Sequence, residues 1–145
     1  MKSRILMLAA AAAAFLVAAG LHAAEKSLKD VKCPVSGQPV KATAIVEFND
    51  GDVYFCCNNC PKAFKADTAK YEAKANHQMV QTGELVQVAC PLTGKKTKAE
   101  TAVKIDGVEV AFCCNGCKGK VEKASDKEKL DIVFKDTSKG FKSKD

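Results

Sequence analysis

The sequence predicts an α+β fold of two tandem small modules, each a knuckle turn, a β-hairpin and a short helix. Three observations carry that prediction. The eight cysteines form one pattern written twice, Cys33, Cys56, Cys57, Cys60 and then Cys90, Cys113, Cys114, Cys117. In both sets 22 residues separate the first cysteine from the second, and the set recurs after 57 residues. The segments Cys33–Cys60 and Cys90–Cys117 align without gaps and share 12 of 28 positions, so the repeat reads as one supersecondary unit, duplicated.

The first element lies ahead of the fold. Lys2 and Arg4 precede an apolar, alanine-rich run from Ile5 to Leu21, and Leu21-His22-Ala23-Ala24 ends in small residues suited to cleavage. Residues 1–24 are therefore expected to be a secretory signal peptide. A retained anchor is the alternative, since the run approaches the length of a membrane span. No cysteine follows it to carry a lipid.

Module one is expected over 25–83 and module two over 84–135, with 136–145 a disordered tail of small and charged residues. Cys-Pro-x-Ser/Thr-Gly at 33–37 and 90–94 is a tight turn, with proline fixing one angle and glycine supplying the unusual one. Ala44–Phe48 and Val53–Cys56 read as strands around a polar turn at 49–52. Ala102–Ile105 and Val108–Cys113 flank Asp106-Gly107, a good hairpin dipeptide. Pro61 suits a first helical turn, predicting a short helix over 62–65. Asp67 then caps a second helix ending about Asn76. The second copy continues less regularly, through Val121, a polar run at 125–129 and an apolar Leu130–Phe134.

Composition narrows the function. Cleavage at residue 24 leaves 121 residues and lowers the formal charge from +6 to +4. Units near 50 residues build thin cores and usually need a metal or disulfides. The lysines are scattered without interleaved aromatics, and Arg4 is the only arginine, so no nucleic-acid partner is expected. No Ser/His/Asp set, paired carboxylate or phosphate loop is present, and no catalytic turnover is expected.

A knuckle, a hairpin and a cysteine at a helix start make a treble-clef arrangement, where one metal ties three elements together. Thiolates suit tetrahedral zinc or trigonal copper(I). With Tyr54-Phe55-Cys56 and Phe112-Cys113, the two patterns resemble the TRASH and YHS group of metallochaperone-like domains. Phe64, Asp67 and Tyr71 resemble the tail of a YHS unit. The resemblance implies heavy-metal sensing, trafficking or resistance. It also implies Cys33, Cys56 and Cys60, then Cys90, Cys113 and Cys117, as ligands. Related zinc fingers carry a second knuckle cysteine where this chain has Ser36 or Thr93, which leaves the site open or three-fold. Cys57 and Cys114 are additional, and are kept as metal-site residues that complete the site or hand the ion on.

The expectation is thus an exported, periplasmic or secreted protein binding Zn2+ or Cu+, with a metal transporter or acceptor protein as partner and no stable membrane anchor after cleavage. Zinc that merely supports each unit is the plainer alternative. Eight cysteines in an oxidising compartment also suit a disulfide-stapled interaction module. Cys57-x-x-Cys60 and Cys114-x-x-Cys117 at helix starts carry the local feature of thiol–disulfide oxidoreductases, without the βαβ pattern around it. His77 reads as a solvated or capping side chain rather than a ligand, and Met79 as packing. Phe55, Phe64, Phe112 and Tyr71 read as the small core.

Overall fold

Asn49–Asp50 and Asp106–Gly107 each reverse the chain with positive φ at both residues (49° and 60°; 40° and 89°). That backbone twist matches the strands it joins. Residues 27–144 are described by the computed structural model, and the expected signal peptide lies outside them. The order is β1 (Lys41–Phe48), β2 (Gly51–Phe55), α1 (Cys60–Ala66), α2 (Thr68–Gln81) and β3 (Leu85–Gln87). It continues with β4 (Lys98–Ile105), β5 (Val108–Phe112), α3 (Asn115–Glu122), α4 (Asp126–Phe134) and β6 (Phe141–Ser143). The molecule is α+β, with antiparallel hairpins and short helices.

The two hairpins share an irregularity. β1 pairs with β2 from Phe48↔Gly51 to Ile45↔Tyr54, then slips before Lys41↔Phe55. β4 pairs with β5 from Ile105↔Val108 to Val103↔Val110, then slips before Lys98↔Phe112. Ladder bonds lost at the second slip are replaced by the buried Thr101 hydroxyl, which accepts from Phe112 N (3.1 Å) and donates to Lys98 O (2.7 Å). Ala44 holds the equivalent place in the first hairpin.

The helices run further than composition suggests. Asp67 caps α2 as expected, accepting from Lys70 N (3.2 Å). The helix does not stop at Asn76, because Asn76, His77 and Gln78 are all buried and all hydrogen-bonded inside the protein. Asn76 Nδ2 donates to Phe134 O (2.8 Å) and so ties α2 to the end of α4. The polar run at 125–129 opens α4 through a capping box, Ser125 with Glu128.

One hydrophobic cluster runs through both halves and includes Val53, Phe55, Phe64, Met79, Val110, Phe112, Val121 and Phe134. Each buried phenylalanine contributes roughly 1.5–3 kcal/mol. Phe64 packs on Phe55 (5.4 Å) and edge-on to Phe48 (5.3 Å), which docks α1 against the first hairpin.

The expected disordered tail is corrected. Within it, β6 pairs antiparallel with β3, Phe141 is buried beside Phe134, and Lys144 N donates to Glu84 O (2.8 Å). Charged residues around a three-residue strand hid it. Its approach depends on Gly140, where a Cβ would lie 2.6 Å from Pro91 Cα.

Candidate metal centre

Each site begins at its knuckle. Gly37 N donates to Cys33 O (2.8 Å) and Cys33 N to Gln38 O (2.8 Å). Gly94 N donates to Cys90 O (2.7 Å) and Cys90 N to Lys95 O (2.9 Å). Gly37 and Gly94 take φ of 72° and 69°, a conformation that glycine adopts without the cost most side chains carry, which accounts for the glycine of each turn. The knuckles bury Cys33 and Cys90 almost completely.

The other ligands arrive from the hairpin and the helix. β2 and β5 end at Phe55 and Phe112, so the cysteine pairs that follow are freed from strict strand alternation. Only Cys56 and Cys113 turn inward to meet the knuckle cysteine. Cys60 opens α1, with Pro61 in its first turn, whereas Cys117 lies inside the first turn of α3.

The result is two sulfur trios, Cys33/Cys56/Cys60 and Cys90/Cys113/Cys117, each with all ligand atoms within 4.8 Å of one another. Cys56 Sγ lies 3.6 Å from Cys60 Sγ, and Cys113 Sγ lies 3.7 Å from Cys117 Sγ. A metal–sulfur bond of about 2.3 Å sets sulfur–sulfur edges of roughly 3.8 Å in a tetrahedral site and about 4.0 Å in a trigonal one. A disulfide would need about 2.05 Å. The trios fit a soft metal, and both could hold one. Among the described residues, these are the two groups of metal-ligating side chains so assembled.

Ser36 and Thr93, at the place of the second knuckle cysteine, turn their hydroxyls toward the trios. Ser36 Oγ lies 3.1 Å from Cys56 Sγ, and Thr93 Oγ1 lies 3.2 Å from Cys113 Sγ. Burial raises the Cys33 pKa, but hydrogen bonds from Ser36 and from the Cys56 and Val35 backbone outweigh it and hold it at about 7. Cys90 is held at about 7 in the same way by Thr93 and by the Cys113 and Leu92 backbone, against its burial. Burial and the neighbouring thiols push Cys60 and Cys117 up to about 12. In each trio the knuckle thiol thus ionises more readily than the helix thiol, and protons still bound leave when a cation replaces them.

Cys57 and Cys114 stand outside the trios and are exposed. They remain close, with Cys57 Sγ 3.5 Å from Cys60 Sγ and Cys114 Sγ 3.8 Å from Cys113 Sγ. The Cys60 and Asn59 backbone amides and the Cys60 and Cys56 thiols lower the Cys57 pKa. The Cys117 backbone and the Cys113 and Cys117 thiols do the same for Cys114.

The reading of His77 is corrected. It is neither solvated nor a cap, but lies on α2 with 6% of its surface exposed, Nε2 3.1 Å from Ile105 O, and its ring edge-on to Phe134. Met79 is core, as expected. Gln78 and Gln87, which no motif singled out, bond to backbone next to the ligands. The faint signal for Gln78 was its place between Ala75 and Met79 on the apolar side of α2. No protein-family model, no curated protein and no solved structure matches the chain.

Proposed function

We propose that this chain is an exported soft-metal-binding protein, holding Zn2+ or Cu+ at two sites and serving metal trafficking, buffering or resistance. The observation that carries the reading is the pair of trios, six sulfurs brought within 4.8 Å in two groups by residues 57 positions apart. An all-thiolate donor set selects soft cations over magnesium or calcium. Three protein ligands leave a position open to an incoming thiolate or water. The basic-then-apolar N-terminus supports export to the periplasm or outside, and the TRASH/YHS resemblance supports metal handling. A metal transporter or acceptor protein is the expected partner, and no catalytic turnover is assigned.

One observation favours a second reading. The 3.5 Å between Cys57 and Cys60 sulfurs is a short step from a disulfide, which would take Cys60 out of its trio. A disulfide-stapled module or a thiol–disulfide oxidoreductase would use that bond. Metal analysis of protein taken from its native compartment, coupled to a free-thiol count, separates the readings. Two metals per chain, with the six trio thiols unreactive until chelation and Cys57 and Cys114 still titratable, support metal binding. Eight oxidised cysteines without metal refute it.

A further inference from the structure

Two glutamines at unrelated places in the repeat make the same three hydrogen bonds. Gln78, on α2, is 1% exposed. Its Nε2 donates to Lys32 O (2.9 Å) and Tyr54 O (2.9 Å), and its Oε1 accepts from Tyr54 N (2.7 Å). Gln87, half-buried on β3, donates from Nε2 to Ala89 O (3.0 Å) and Ala111 O (2.7 Å) and accepts at Oε1 from Ala111 N (3.0 Å). Lys32 and Ala89 immediately precede the knuckle cysteines, and Tyr54 and Ala111 stand two residues before Cys56 and Cys113. The bonded backbone positions are 57 residues apart, yet the glutamines are only nine apart. Each amide therefore clamps the segment delivering one ligand to the strand delivering the next, in the way a neighbouring strand would.

We propose that Gln78 and Gln87 are positioning residues that hold the trios assembled through protein contacts alone, so that the ion is exchangeable cargo and not the staple that folds the chain. This rests on the metal-binding reading above. A metal becomes a folding staple where the chain cannot otherwise join its elements. Here a side-chain amide, buried in the first half and half-buried in the second, already joins knuckle to hairpin. The third ligand is placed by packing, with Phe64 holding α1 and Val121 holding α3 in the common core. Losing either clamp removes three hydrogen bonds between the knuckle segment and the hairpin strand and frees the knuckle to drift from the hairpin.

The test begins with the wild-type protein, reduced and stripped by a chelator, followed by far- and near-ultraviolet circular dichroism and amide NMR dispersion. The proposal expects a folded chain with native dispersion. Cobalt(II) is then titrated, with charge-transfer absorption as the readout, into Cys56→Ser and Cys113→Ser backgrounds that each retain one site. Gln87→Leu is expected to weaken the second site about tenfold and leave the first unchanged, at the low end of what hydrogen-bond partners one step from a metal contribute. Gln78→Leu is expected to do the reverse. Should Gln78→Leu not fold, the half-exposed Gln87 decides the outcome. A stripped wild type that unfolds and refolds on adding cobalt overturns the proposal while leaving metal binding intact. So does a Gln87→Leu effect that is absent or equal at both sites. A chain that stays folded yet takes up no cobalt overturns the metal-binding reading and the proposal together.

Discussion

Gly140→Ala is the sharpest test of how the C-terminal strand supports the second site. The added Cβ would stand 2.6 Å from Pro91 Cα, 2.8 Å from Pro91 N and 3.0 Å from Pro91 Cβ. These are backbone and ring atoms, so no rotamer relieves the clash, and either β6 or the knuckle must move by about 1 Å to reach ordinary carbon contacts. Moving β6 strains the bonds from Val88 N and Ala89 N to Gly140 O (2.8 and 3.1 Å). Moving Pro91 displaces Cys90 beside it. Overpacking of this kind costs about 1–3 kcal/mol. For a chain of this size that lowers Tm by roughly 4–15 °C. Thermal unfolding of the reduced, metal-free protein measures the loss, and cobalt titration shows whether it falls on the second site. A variant with unchanged Tm and two intact sites would refute the placement of β6 against the knuckle.

Cys57→Ser and Cys114→Ser should leave binding at two metals per chain, whereas Cys33→Ser or Cys90→Ser should each remove one, as read by metal analysis after dialysis. Thr93→Val keeps the shape of the side chain but removes the hydroxyl beside Cys113. It should weaken the second site by about 10-fold or more in a competition with a chromophoric chelator. His77 supplies the pH dependence. Burial lowers its pKa, so the folded state keeps it neutral while the unfolded chain gains a proton below about pH 6.5. Its contribution is complete above that pH and is lost as pH falls, and His77→Gln should flatten the fall in urea midpoint between about pH 6.5 and 5 in metal-free protein.

The parts legible in the sequence are those whose causes are local. Asp106-Gly107 dictates its turn through backbone angles, the knuckles follow from proline and glycine at fixed spacing, and the cysteine period foretold two matching sulfur clusters. The parts that were hidden depend on distant partners. Asn76, His77 and Gln78 look like the polar end of a helix, and only Phe134, Ile105, Lys32 and Tyr54 make them interior residues. Phe141 sits among lysines and serines, and its strand exists because β3 offers an edge 54 residues earlier. The fates of adjacent Cys56 and Cys57 turned on where β2 ends, which periodicity does not locate to one residue.

X-ray absorption at the metal edge of the loaded, reduced protein tests the central claim most directly. Two ions per chain, each with a shell of three sulfurs at about 2.3 Å, are predicted from the trios. An ion surrounded mainly by nitrogen and oxygen, or sulfurs found bonded in pairs at about 2.05 Å with no metal retained, would contradict it.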